Sequence, residues 1–442
     1  MPSHLPARPW ARLWPRPLLC ALCAALVLSA CGGSDDNPAP APNPAPNPAP
    51  TPPATPPLSP IRPALPPSQL PQAQALEVPV ELLAGTLRPD GVRMIQRCEI
   101  RNTSALDAAF AQVRALHVSG DAVYALDTGR GCFDIHSYIS RPGPVPGRAK
   151  VLRIAQGRAD VVMALNDFSG AGQPPFMVRH PSGFHVDAQG RVLVLSNALD
   201  YYGPTTLEPY AATQAWRYYS PGLFRREAHE TGLPRMIFGN WGDAPSLRDG
   251  DAQTARFSRP DRLRQGPNGE LYFVDGGKIR KISRPDAGGV TTTLTEKDFP
   301  ALAWFKENRI VDMEVDAKGH IHVLYAKDGY QYDYVWLNLN TGRVRLFSTR
   351  PPGATFGLVE RPRDTFTLVG DDMVFSSAGD QGAYLMRISG ETGAVRNLKG
   401  TGLSGFGDNP FENIPFNDVR YGPDGHLYLA QRWGILVMRN FK

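Results

Sequence analysis

"DVRYGPDGHLYLAQRWGILVMRN", residues 418–440, contains a strand, a tight turn ending in glycine, a second strand, a short turn and a third strand. Pro-Asp-Gly suits a hairpin, because Asp and Gly tolerate the positive φ that tight turns demand. The same outline recurs upstream in "GFHVDAQGRVLVLS" (183–196), "RLRQGPNGELYFVD" (262–275) and "DMEVDAKGHIHVLY" (312–325). Shortened copies are "ALHVSGDAVYALD" (115–127) and "TLVGDDMVFSS" (367–377). Third strands follow as "KIRKIS" (278–283), "VWLNLN" (335–340), "YLMRIS" (384–389) and "ILVMRN" (435–440). No long amphipathic helix pattern interrupts them. A small sheet of this kind cannot bury both faces alone, so such repeats stack or close on themselves. Six copies predict an all-β, six-bladed β-propeller over residues 77–442. The segment "EVPVELLAGTL" (77–87) can pair outside "ILVMRNF" and so close the ring.

Two blades carry a resemblance. "DGDAQTARFSRPDRLRQGPNGELYFVDGGKIRKIS" (249–283) resembles an NHL repeat, with an acidic-Gly start, A-x-F-x-x-P, strand, Gly turn, strand and terminal "IRKI". "FGDNPFENIPFNDVRYGPDGHLYLA" (406–430) follows the same outline. The resemblance implies the propeller fold far more than it implies a function.

Upstream of the repeats the chain has a different character. Arg8, Arg12 and Arg16 precede the apolar run "PLLCALCAALVLSA" and then Cys31, which reads as a secretory signal over residues 1–30. "LSAC" (28–31) resembles a bacterial lipoprotein box, which implies lipid on Cys31 and a membrane as the first partner. Residues 31–76 read as a tether. Proline stands at almost every second place from 38 to 72, which forbids helix and favours extended polyproline II. At ~3.1 Å per residue such a spacer reaches roughly 100 Å. Gly32 differs from the Asp that retains lipoproteins at an inner membrane, which points to an outer membrane.

Removing the signal takes three arginines with it and lowers the formal charge from +5 to +2. That is no polybasic footprint, and nucleic acid drops out as a partner. Of five cysteines, Cys98 and Cys132 remain after Cys20 and Cys23 leave and Cys31 is lipidated. A lone pair in an oxidising compartment predicts a Cys98–Cys132 disulfide.

In a propeller the first strand of each blade begins on the face to which the loop between second and third strands returns. Long loops there are 128–150, 197–214 and 326–334. Binding usually resides on long loops held by a rigid scaffold. The aromatics of these loops, Tyr201, Tyr202 and Tyr330, with Trp433 in the short turn "QRWG" of the last blade, are candidates for contact with a glycan, peptide or protein ligand.

Six-bladed sugar lactonases similar to regucalcin hold a divalent metal at first-strand starts with a Glu, an Asn and an Asp. The equivalent places here hold Arg114, Ser182, Asp261, Val311, approximately Thr365, and Asn417. Asp261 and Asn417 offer oxygen, but no Glu is present and Arg114 repels a cation. Asn417 reads as a strand cap and channel liner. His117 and His185 share a first-strand position with Arg264, Glu314 and Arg420, and read as interblade hydrogen-bonding groups. No nucleophile motif occurs. The expectation is an envelope-anchored binding propeller without cofactor. The alternative is a metal-dependent lactonase or lyase holding calcium or zinc.

Overall fold

The computed structural model describes residues 74–87, 101–129, 149–165, 181–197, 221–228, 230, 234–240, 245–286, 288–305, 309–326, 333–348, 364–379, 382–403 and 415–442. Among them no helix is long and apolar enough to cross a membrane.

The strands form six sheets, each an up-and-down blade. Blade 1 holds β4 (Val113–Ser119), β5 (Ala122–Asp127), β6 (Lys150–Ala155) and β7 (Arg158–Ala164), with β3 (Thr103–Ser104) outside them. Blade 2 holds β8 (Pro181–Val186), β9 (Val192–Ser196), β10 (Gly222–Arg226) and β11 (Arg235–Phe238). Blade 3 runs from β12 (Pro260–Gln265) through β13 (Leu271–Asp275) and β14 (Lys278–Ile282) to β15 (Thr291–Thr293). Blade 4 holds β16 (Arg309–Val315), β17 (Ile321–Ala326), β18 (Asp333–Asn338) and β19 (Val344–Ser348). Blade 5 holds β20 (Thr365–Val369), β21 (Asp372–Gly379), β22 (Gly382–Ile388) and β23 (Val395–Thr401). Blade 6 has β24 (Phe416–Tyr421), β25 (Leu427–Gln431) and β26 (Gly434–Met438). All six sequence repeats fall on first and second strands, as their periodicity predicts. First strands touch in an unbroken circle: β4 with β8, then β12, β16, β20, β24, and back to β4.

Closure uses two segments. β2 (Glu81–Gly85) pairs antiparallel with β26, which places N-terminal residues in the last blade as expected. β1 (Gln74–Pro79) adds a second latch, pairing parallel with β23 at the rim of blade 5. Six apolar cores lie between neighbouring blades, among them Leu116, Ile154 and Ile435 between blades 1 and 6. Leu195, Phe257 and Phe273 fill the gap between blades 2 and 3. Burial at about 25 cal/mol per Å² of apolar surface makes these wedges the main stabilising term.

The residue pattern of 249–283 in blade 3 is explained by its contacts. Arg280 is fully buried, and its guanidinium donates to Asp275 at 2.7 Å, to the Arg256 carbonyl at 2.6 Å and to Asp249 at 3.0 Å. It also lies 5.1 Å from the Phe257 ring centroid, within cation–π range. Asp275 in turn accepts the Ser258 and Arg259 amides at 2.9 and 2.6 Å, fixing the entry to β12. Asp127 plays the same part in blade 1, accepting the Ala111 and Gln112 amides at 3.0 and 2.9 Å. The second-strand aspartate is thus the clamp that starts the first strand of its own blade. The glycines ending the first hairpin turns, Gly190, Gly269, Gly319 and Gly425, have φ between 75° and 83°.

Candidate functional site

Five of the six first strands carry a β-bulge near their start. The bulged residue is Arg114 in blade 1, Ser182 in blade 2, Val311 in blade 4 and Asn417 in blade 6. A bulge re-aims side chains toward the channel mouth. In blade 3 the irregularity spans Asp261 to Arg264 and leaves Arg262 at φ 60°, an uncommon place for a non-glycine residue. Gly183 of blade 2 permits this: a Cβ there would stand 2.8 Å from the Leu263 amide nitrogen.

At the mouth, these side chains bind one another. Arg114 Nη2 lies 3.5 Å from Asp261 Oδ2, linking blades 1 and 3. Asn417 Nδ2 donates to the Val113 carbonyl at 2.8 Å, so it caps the neighbouring first strand. Ser182 Oγ donates to the Pro260 carbonyl. Thr365 stands one level deeper than the sequence alignment places it, beside Asp312 and Asp418. The blade 5 residue at the mouth level is Asp364. Its carboxylate accepts Tyr334 Oη at 2.6 Å and Ser377 Oγ at 2.7 Å.

The next level joins blades 3 to 6. Arg262 Nη1 reaches Asp312 Oδ2 at 3.4 Å, and its Nη2 donates to the Asp364 carbonyl at 2.9 Å. Thr365 Oγ1 lies 2.8 Å from Asp312 Oδ2 and 3.1 Å from Asp418 Oδ1. Asp418 Oδ2 accepts the Leu116 amide at 2.7 Å, tying blade 6 to blade 1. Deeper still, Glu314 joins Arg264 of blade 3 to Arg420 of blade 6, the latter at 2.5 Å. Thr367 Oγ1 of blade 5 accepts the Tyr421 amide of blade 6 at 3.1 Å. Arg264, Glu314 and Arg420 are thus interblade groups, as their shared register suggests. Arg262, Asp312 and Asp418, one level above them, are the residues that the sequence reading missed.

Electrostatics follow from burial set against pairing. Burial raises Glu314 above the usual carboxylate range, against the pull of Arg264 and Arg420. Burial opposes the charge of Asp312 too, but Arg262, Arg264 and Arg420 outweigh it and hold its carboxyl low. His117 and His185 meet edge to face, 4.3 Å between ring centroids. Burial holds His117 well below its ordinary value, helped by His185, Arg420 and Arg264. Burial takes His185 down to about 4, although Gln265 Oε1 bonds its Nε2 at 2.9 Å. Both rings are therefore neutral at pH 7.

A pH dependence results. The unfolded chain takes up protons below about pH 6.5, while the folded channel refuses them. For His185, with its folded value near 4, stability is complete above pH 6.5 and falls as pH drops toward 4. The loss is about 2 kcal/mol by pH 5, at about 1.4 kcal/mol per pKa unit. Glu314, raised rather than lowered, works the other way: its folded form takes up a proton more readily than the unfolded chain, so falling pH relieves part of its burial cost. Urea denaturation at pH 7 and pH 5 measures the effect. The His117→Gln, His185→Gln protein should lose much less between the two, and an equal loss in both proteins would refute the assignment.

Trp433 sits in the turn between β25 and β26 and is half-buried. Its carbonyl accepts the Thr86 amide at 3.0 Å, which fixes it against the closing strand. The Arg432 guanidinium lies 5.1 Å from its ring centroid. Its indole N–H has no partner among the described residues. Tyr201, Tyr202 and Tyr330, the Cys98–Cys132 pairing and Cys31 lie outside the described residues.

No protein-family profile matches the chain, and no curated protein matches it. Among solved structures, it is similar to a protein of unknown function from Bacteroides thetaiotaomicron, at 12% identity and a TM-score of 0.45, covering 81% of this chain and 74% of that one. It is also similar to a protein assigned to a gluconolactonase family, at 11% identity and a TM-score of 0.41, covering 82% and 92%. A third is the extracellular domain of a two-component system from B. thetaiotaomicron, at 12% identity and a TM-score of 0.37. That similarity covers 74% of this chain and spans 34% of the other's length.

Proposed function

We propose that this chain is a lipid-anchored binding propeller of the bacterial envelope, tethered through Cys31 to an outer membrane. It recognises a glycan, peptide or protein on the face where the first strands begin. The single observation that carries this reading is the Arg114–Asp261 pair, 3.5 Å apart at the channel mouth. A guanidinium occupies the level at which a lactonase of this fold would gather oxygen ligands. Asn417, the other candidate ligand, directs its amide nitrogen to the Val113 carbonyl. Beneath them the charged groups are paired across blades, which suits a rigid platform better than a reaction centre.

On this reading Tyr201, Tyr202, Tyr330 and Trp433 supply the contact surface. Tyr201→Ala with Tyr202→Ala should shift the melting temperature little, since surface changes usually stay within about 0.5 kcal/mol. The same variant should lose retention of partners captured from envelope extract. The enzymatic alternative is tested by lactone hydrolysis with and without chelator. Chelator-sensitive turnover that disappears in Asp261→Asn would overturn the binding reading.

A further inference from the structure

The turn between the first and second strands lies at the opposite end of each blade from the mouth. In blade 2 this turn is built on Asp187. Its Oδ1 accepts the Gln189 and Arg191 amides at 3.0 and 2.9 Å, and its Oδ2 takes Arg191 Nε at 2.5 Å. Blade 4 builds the same turn on Asp316, whose Oδ1 accepts the Lys318 and His320 amides, both at 2.8 Å. There the arginine is replaced by His320. Two residues on, where blade 2 has Leu193 and blades 3 and 6 have Tyr272 and Tyr428, stands His322. Residues at i and i+2 of a strand share a face, so both imidazoles reach one carboxylate.

Both contacts are longer than a close charge-assisted hydrogen bond. Asp316 Oδ2 lies 3.3 Å from His320 Nδ1 and 3.3 Å from His322 Nε2, and the three atoms lie within 4.8 Å of one another. A charge-assisted hydrogen bond is shorter, about 2.7–2.9 Å. Ligand atoms on a tetrahedral zinc, with bonds of about 2.0–2.1 Å, stand about 3.3–3.4 Å apart. We propose that Asp316 Oδ2, His320 Nδ1 and His322 Nε2 form a site for a divalent transition metal of the zinc class. Two imidazole nitrogens and one carboxylate oxygen suit that class, and solvent supplies the fourth position. Asp316 and His320 are partly exposed, with side chains 23% and 32% accessible, so the metal has an entry path.

The surroundings of His322 give this site a signature. Trp336 Nε1 donates to His322 Nδ1 at 3.2 Å, and Asn338 Nδ2 lies 3.3 Å from Nε2. No single tautomer of the ring satisfies both donors and the Asp316 carboxylate. A metal on Nε2 fixes the proton on Nδ1, and the indole N–H must then give up its bond. Trp336 is therefore an antagonist of metal binding. Removing its N–H should tighten the site by roughly two- to tenfold, the equilibrium equivalent of one ordinary hydrogen bond.

The test is calorimetric titration of zinc chloride into the metal-stripped full chain. One saturable equivalent is expected. His320→Ala should abolish it, and so should Asp316→Asn, which keeps the Oδ1 acceptor that the turn requires. Trp336→Phe should bind more tightly, with circular dichroism confirming that it is folded. No saturable equivalent, or one that survives both ligand variants, overturns the site. Binding no tighter in folded Trp336→Phe overturns His322 Nε2 as a ligand. Since the site lies at the far end of the blade from Asp261, its loss leaves the reading of the mouth untouched.

Discussion

Removing residues 74–86 is expected to abolish cooperative folding of the propeller. The segment supplies both latches, β1 on β23 and β2 on β26. It buries Val80 and Ala84 in the cores on either side of blade 6, with Leu76, Val78, Leu82 and Leu83 packed against them. At about 1.5–3 kcal/mol per fully buried aliphatic side chain, and less for the half-buried ones, the loss is on the order of 6–10 kcal/mol. Net stabilities of about 5–15 kcal/mol leave little after such a loss. The deletion also bares the edges of β23 and β26, which invites pairing between chains. Sedimentation velocity and urea denaturation monitored by circular dichroism check this. A soluble monomer with a cooperative transition within about 2 kcal/mol of the parent would show that the other blades close without the latches.

Glu314→Ala is expected to cost about 3–5 kcal/mol, the usual result of removing one partner from a buried ion pair. Glu314 is the carboxylate between Arg264 and Arg420, and its loss leaves two guanidinium groups facing each other across the channel. Asp418 still accepts from Arg420 at 2.8 Å, and Asp312 from Arg264 at 3.3 Å, so the damage is partial. A double-mutant cycle with Arg420→Ala should show coupling of more than about 1 kcal/mol, because the two residues belong to one network. Additive losses would mean that each side chain acts through its own blade alone.

Much of this architecture can be read from the chain because each blade repeats its turn chemistry. The Gly that ends each first hairpin, and the Asp that ends β5 and β13, mark the blades without any tertiary information. Closure by β2 is also legible, since an apolar strand upstream needs an edge and "ILVMRNF" offers one. The parallel latch β1 is not. Its partner is the rim strand of a different blade, and no alternation or turn links residues so far apart.

At the channel part of the layer is legible in the spacing of charges. Arg262 and Arg264, Asp312 and Glu314, and Asp418 and Arg420 each stand two apart on a first strand. Such strands are packed on both sides, so charge at i and i+2 on one face announces a buried ionic layer. The bulges hide it, because one extra residue per strand shifts the register by which levels are counted. Thr365 shows the difficulty: β20 pairs with β21 without a bulge, and the mouth-level residue is Asp364. His320 and His322 stand two apart at the start of a second strand, but the third partner, Asp316, looks like an ordinary turn residue.

The two latches also determine how the domain bears mechanical load. Any pull transmitted along the chain from the N-terminal side arrives first at Gln74 and enters the six-residue parallel ladder of β1 on β23. Only when that ladder ruptures does tension reach β2 and the seam of blade 6. The outer latch can therefore yield as a fuse, releasing the length of β1 while β2 still holds the ring shut.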